Sequence, residues 1–535
     1  MTRIRTTAAA LLVFCLAGEL PAAAQGIIPG KPQAEELSGT RFASLSGMNA
    51  EEVKTVQRLL IRLGNLGEGN LTHALDAPTV SAISAHLTEV GWTGPGPSPD
   101  QLLRSLFGSV WRTEGWADGL AAGQQIIVDK DSVRLAQEAL NTMSTAQLKA
   151  DGIFGPATFA AVEAFQASNG MRVTGLLTRN AYNNIARASK FAGAAPKGVV
   201  RLFSATGVVD PAALEGFETQ TGLRVIEENY ENSAETKGLL LKGSDSYDLI
   251  VQAGGQMRQV LEKQDAVEKI DRKRLPNSLS LDTASQVYTE ALDPLNAHSI
   301  PYLWGTVGLG INRDKILALA PDAPIGSMAL MLDPKYAATL SQCGLAMIDE
   351  PIDVIPAIVS YVGGDFRNVG ITDLEAVDAA LSEIRSHVEV VPRAQFVEGL
   401  ASGKYCATIG FSGDVLTARE QAKLRQSADI SYLVPKEGSE LWFQLLVIPK
   451  NARNSDGAYQ LINHLLTPEV AAAGTRALMY ANTVWGAGPL MEAHLLEDPG
   501  LYPPRDVMGR LSVQPPLSAD VEAELNRIWA KMRKG

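Results

Sequence analysis

A carboxylate at a loop position can balance a positive charge taken out of water, because an unpaired buried ion is very costly. An aromatic ring beside it can add a cation–π contact of about 0.5–2 kcal/mol. Residues of these types stand at loop positions in the C-terminal half of this 535-residue chain. Asp414 follows the strand-like run YCATIG in the loop FSGD, beside Phe411. Asp353 lies in IDEPIDV, ahead of a helix-like run. Either aspartate could instead cap its helix and complement the helix dipole.

Other chemistries are poorly supplied. The six histidines, His73, His86, His298, His387, His464 and His494, are scattered and show no metal-ligand spacing. Neither Cys343 nor Cys406 has a histidine near it in sequence. The glycine cluster GTVGLG lacks the rest of a phosphate-binding fingerprint and reads as a strand crossing between lobes. No catalytic residue, metal ligand or cofactor is expected.

The elements that would position the acids begin after AGAAPKG (192–198). There VVRLFS, RVIEENY and YDLIVQ are short strand-like runs separated by helix-like stretches. Strands alternating with helices imply a parallel sheet covered by helices. Ligands of such sheets sit beyond the carboxyl ends of the strands, here after Ser204 and Val251. Residues 198–535 suit two α/β lobes with a cleft between them.

A different pattern occupies 48–187. Val53, Val56, Gln57, Leu60 and Leu63 recur at an offset of 80 as Val133, Ala136, Gln137, Leu140 and Met143. Both sets follow helical spacing, so a helical unit is duplicated. In the second copy a helix over about 132–143 leads into ADGIFGP, and Phe159, Val162 and Phe165 give the next helix its buried face. Thr178 is placed to cap a third helix carrying Tyr182 and Ile185.

Composition sets outer bounds. With 46% hydrophobic and 20% charged residues the chain reads as globular protein of several domains. A net charge of -12 argues against a nucleic-acid partner. Arg3 and Arg5, the run AAALLVFCLAG and the small residues of PAAAQG read as an export signal cut after Ala24. A lipid anchor on Cys15 is disfavoured by Phe14 before it. The leader, 25–47, is rich in Gly, Pro, Ala and Ser. Cleavage leaves Cys343 and Cys406, an even count that favours one disulfide outside the cytoplasm, with two buried thiols as the alternative.

The residues DGIFGPATFAAVEAFQ and VTGLLT resemble the peptidoglycan-binding domain type 1 family over about 131–187. The copy at 48–108 keeps VKTVQRLLIRLG and a DAPT turn but lacks the D-G-x-F-G run, and reads as a degenerate repeat. The resemblance implies an all-α bundle and peptidoglycan as partner. Spacing or dimerising the chain is the plainer alternative. Residues 188–197 read as a linker.

The runs GSDSYDLIV, IPYLWGTVGLGINRDKI, GLASGKYCATIGFSGDV, PKEGSELWFQLLVIPKNARNSDGAYQLINHLLTPEV and DPGLYPP resemble, in order, the periplasmic putrescine- and spermidine-binding proteins of polyamine ABC transporters. The resemblance spans 198–535. It implies a two-lobed α/β fold closing over an extended diamine, an ABC permease as partner, and pairing of Cys343 with Cys406. It gives Phe411 and Trp442 aromatic wall positions, Asp414 and Asp353 positions that meet an amine, and Tyr480 a contact. Trp442 could equally be core, and Tyr480 a packed helix-end residue.

Other contact positions carry altered residues. The place of an aromatic-Ser-Asp element is taken by Ala205, Thr206 and Gly207, a polar position is Gly255, and the acidic position after Trp442 is Gln444. Each lost partner of a buried charge costs about 2–5 kcal/mol, so two losses would abolish tight diamine binding unless other groups compensate. Three functions are then in play: a polyamine-type receptor held near the wall, an envelope sensor whose cleft has lost that ligand, and a wall-active enzyme. The scattered histidines argue against the last.

Overall fold

A computed structural model describes residues 42–533, with short omissions of which 110–126 and 192–196 are the longest. The export signal, the leader up to residue 41 and residues 192–196 of the 188–197 linker lie outside the described residues.

The duplicated segments are helical, as their spacing requires. The first contains α1 (Ala50–Arg62) and α2 (Ala77–Glu89), and the second α3 (Lys130–Met143), α4 (Pro156–Ser168) and α5 (Arg179–Lys190). The repeat extends to hydrogen bonds. In α1 the Gln57 amide donates to the Ala74 carbonyl and the Thr79 hydroxyl. In α3 the Gln137 amide donates to the Ile153 carbonyl and the Thr158 hydroxyl. Each buried glutamine satisfies the turn that leads into the next helix. Thr178 caps α5 through the Ala181 N–H, at 3.1 Å.

The larger region is built on a sheet of order β2-β1-β3-β9-β4-β7-β5-β6. Its strands are β1 (Gly198–Ala205), β2 (Leu223–Tyr230), β3 (Leu249–Ala253), β4 (Ile300–Ile311), β5 (Leu345–Ile348), β6 (Glu389–Val391), β7 (Ala407–Phe411), β8 (Ser431–Leu433) and β9 (Ser439–Val447). Helix α6 (Pro211–Thr221) joins β1 to β2, which pair in parallel. Strand β4 changes partner along its length. Residues 300–306 pair with β9, and 307–311 pair with β7. The GTVGLG run lies on this strand and passes from one lobe to the other. A Cβ on Gly305 would meet the Trp442 ring at 2.6 Å, so glycine is what lets the indole lie against the crossing strand.

The helical module is not strung loosely on the lobe. Ile226 of β2 belongs to the apolar core of the helical segments, with Val199 packed against it. The Asn184 amide pairs with both backbone groups of Glu227, donating to its carbonyl at 2.7 Å and accepting from its N–H at 3.1 Å. Helix α5 thus occupies the edge of β2 as another strand would, and an uncovered edge is an aggregation risk. Arg187 lies buried beside Glu218, at 3.8 Å, and donates to the Val225 carbonyl. Residues 188–190, expected as linker, are the last residues of α5.

Cys343 and Cys406 form a disulfide with Cα atoms 5.5 Å apart. It ties the start of β5 to that of β7, which pair in parallel.

Two outcomes follow. Asn184→Ala should destabilise the protein by about 1–3 kcal/mol, since it removes one partner from two buried backbone groups. An unchanged denaturation midpoint would show that the edge contact contributes nothing. Replacing both cysteines with serine should cost up to about 4 kcal/mol, from the loop-closure relation applied to a separation of 63 residues. Equal stability with and without reductant would refute that.

Candidate functional site

The sequence offered Asp353 and Asp414 as helix caps or ligand groups. Asp353 is the third residue of α7 (Pro351–Tyr361), and Asp414 the third of α9 (Ser412–Arg425). The cap positions belong to Glu350 and Phe411, without a side-chain cap bond. The capping reading is therefore set aside. Both carboxylates lie in a first helical turn, where the dipole favours negative charge.

The partner of Asp414 is Arg393, the first residue of α8 (Arg393–Ala401). Arg393 Nε donates to both carboxylate oxygens at 2.9 Å, and Nη2 donates to Oδ1 at 2.7 Å. Nη2 also donates to the Tyr480 hydroxyl at 2.9 Å, and that hydroxyl donates to Asp414 Oδ1 at 2.8 Å. Nη1 donates to the Thr206 carbonyl, 2.5 Å away in the loop after β1. Arg393 stands on the lobe of β5, β6 and β7, and Thr206 on that of β1, β2 and β3. The guanidinium therefore bridges the two lobes.

An aromatic wall adjoins this pair. The Trp442 ring meets Phe411 edge-on at 5.5 Å and Tyr480 at 5.1 Å. Arg393 Cζ lies 5.7 Å from the Tyr480 ring centre. Burial, chiefly, and the charge of Asp414 keep the Tyr480 hydroxyl protonated far above the usual range, as its donor role requires.

Asp353 lies in a second acidic group. Glu440 on β9 is 3% exposed, and its Oε2 has no hydrogen-bond partner. Burial holds the Glu440 carboxyl well above the usual carboxylate range, and repulsion from Asp353 adds to this. Asp353 keeps some solvent contact, yet the protein volume around it pushes its pKa up to about 7. Alternate residues of a strand share a face, so Glu440, Trp442 and Gln444 form one row. Trp442 Nε1 and Gln444 Oε1 are also buried without partners. Tyr230 on β2 is held above the usual range chiefly by burial, with smaller effects of Glu350, Arg393 and Asp353 across the lobes.

Phe411, Asp414, Trp442, Tyr480 and Thr206 are thus brought together around Arg393. Asp353 falls beside Glu440, and Gln444 lies four residues further along β9, opposite Ala253 of β3. At the altered positions, Gly207 has φ +75°, a left-handed turn that favours glycine. Sequence reading passed over Arg393 and Glu440. Arg393 opens a helix, where a positive charge opposes the dipole. Glu440 stands two residues before Trp442 in a largely apolar strand, where a charge is rarely buried without purpose. Among the described residues no group of three or more His, Cys, Asp or Glu side chains is arranged to hold a metal.

Residues 212–489 match the family model described as "Bacterial extracellular solute-binding protein", and 129–183 the model "Putative peptidoglycan binding domain". A putrescine-binding periplasmic protein of Pseudomonas aeruginosa is 32% identical over 346 residues, 64% of this chain and 94% of the relative. Its counterpart from Escherichia coli is 31% identical over 346 residues, 64% and 93% of the two chains. The solved spermidine/putrescine ABC transporter substrate-binding protein of Streptococcus pneumoniae shares the fold with TM-score 0.52 and 20% identity, covering 63% of this chain and 99% of its own.

A raised carboxyl pKa has a definite sign. The folded protein binds more protons than the unfolded chain between about pH 4 and about 7. The contribution of Asp353 to stability without ligand therefore falls as pH rises through that window. A cation favours the charged carboxylates, so amine affinity should rise from pH 5 to pH 8. Binding at pH 6 should release protons. Calorimetry in two buffers of different ionisation enthalpy measures this, and identical heats would exclude Asp353 and Glu440 from the contact.

Proposed function

The chain belongs to the bacterial extracellular solute-binding protein family, and we propose that it is an exported, periplasmic receptor for a small organic amine, held near the wall by its helical module. The observation that carries the reading is buried Glu440, close to Asp353 and on one strand face with Trp442 and Gln444, which joins buried negative charge to an aromatic wall. An amine supplies the positive charge and the donors that Glu440 Oε2 and Gln444 Oε1 lack. The two curated relatives, both described as putrescine-binding, support a polyamine-related ligand. Delivery to an ABC permease is part of the same proposal. The family is one of binding proteins rather than enzymes. The match at 129–183 supports peptidoglycan as the second partner.

One observation favours a second reading. Arg393 already fills the place beside Asp414 where a diamine would put one ammonium. An envelope sensor that no longer answers to polyamines would have such a cleft.

Calorimetric titration with putrescine, spermidine and simple monoamines separates the two. A receptor binds at least one of them, and Glu440→Gln weakens that binding at least tenfold, or about 1.4 kcal/mol. Silence across the panel, with the protein folded, would leave the sensor. Wall attachment is tested separately by sedimentation of the full chain with purified sacculi, where recovery in the supernatant would refute it.

A further inference from the structure

We infer that Arg393 is a built-in counter-ion occupying one amine position of the cleft, so that the ligand is a singly charged amine bearing a hydrogen-bond acceptor rather than a diamine. The inference rests on the receptor reading above and specifies its ligand class.

The geometry on the Arg393 side is one of completion. Asp414 is 4% exposed and receives three hydrogen bonds from the guanidinium and one from Tyr480. A carboxylate satisfied in this way has little to offer a second cation. Moving Arg393 aside would also break its bond to the Thr206 carbonyl and leave Asp414 buried without its partner. An incoming ammonium would meet a like charge that has no vacant place to go. The side chain thus performs within the protein what the far end of a diamine would do.

The opposite side is unfinished. The buried Glu440 carboxyl lies close enough to Asp353 for their charges to repel, and Glu440 Oε2 lacks a donor. One ammonium satisfies this end. The indole Nε1 of Trp442, two residues along the same strand face and 92% buried, is a donor lacking an acceptor. A hydroxyl or carbonyl on the ligand would satisfy it. One positive charge with an acceptor a few carbons away is therefore the complementary chemistry. A second ammonium would bring no acceptor to the indole and would add repulsion from Arg393.

A matched pair of probes tests this: 4-amino-1-butanol and 1,4-diaminobutane, which differ only in replacing one ammonium by a hydroxyl. The full chain should bind the amino alcohol at least tenfold more tightly. Arg393→Ser should reverse the preference, with the diamine gaining at least tenfold as Asp414 becomes available. Arg393→Lys keeps a cation there and should retain the original order, which guards against an effect of misfolding. The readout is a ratio of two affinities within one protein, so loss of stability alone does not move it. Equal or tighter binding of the diamine by the unaltered chain would overturn the inference while leaving the receptor reading intact. Binding of neither probe, by the unaltered chain or by Arg393→Ser, would overturn both.

Discussion

The guanidinium of Arg393 reaches three groups at once: the Asp414 carboxylate, the Tyr480 hydroxyl and the Thr206 carbonyl of the other lobe. Bringing an arginine and an aspartate out of water costs several kcal/mol per ion. The cost is offset only when geometry is good and the remaining donors and acceptors are used. Here Nε and both terminal nitrogens are engaged. The dipole of α9 favours Asp414, while that of α8 disfavours Arg393. The arginine is therefore held by its partners rather than by its helix. Once it is in place, the lobes meet across a hydrogen bond and half of the cleft is electrically settled.

The other half follows from that settlement. If Arg393 balances Asp414, nothing on that side remains to balance Asp353 and Glu440. Both then stay at raised pKa, by burial, with the charge of Asp353 adding to the effect at Glu440. The row on β9 is a consequence of strand geometry. A two-residue period puts Glu440, Trp442 and Gln444 on one face, while Leu441, Phe443 and Leu445 pack into the apolar core behind. The crossing strand β4 lies alongside, with Gly305 leaving room for the Trp442 ring. Asymmetry between the two ends of the cleft is thus built from one charge pair and one strand.

Much of the framework was legible in the sequence because it is local. The offset of 80 between Gln57 and Gln137 pointed to two helical units, and both glutamines hold the same turn contacts. Strand-like runs near 199–204, 224–230 and 247–252 became β1, β2 and β3. The gathering of Phe411, Asp414, Trp442 and Tyr480 was readable through family resemblance. The partner of Asp414 was not. Arg393 and Asp414 are 21 residues apart on different helices, and no local pattern couples them. Asn184 was equally silent, because its pairing with Glu227 depends on a helix meeting a strand edge 43 residues away. Tertiary placement decides such contacts.

The docking of the helical module bears on how a wall-bound receptor could still work. The contacts that fasten α5 end on β2 and α6: Asn184 on Glu227, Arg187 on Glu218 and Val225, Asn180 on Asn229. All of these belong to the lobe of β1, β2 and β3. The lobe of β5, β6 and β7, which carries Arg393, Asp353 and Asp414, joins that body through the sheet and through the bond to Thr206. A module fixed to peptidoglycan would therefore hold the first lobe and leave the acidic lobe to respond to ligand. The edge of β2 is a suitable mooring because it lies at the end of the sheet, with β1, β3 and β9 between it and β4. The contacts of α5 and the Arg393 pair thus lie on different lobes, and neither set uses the other's residues.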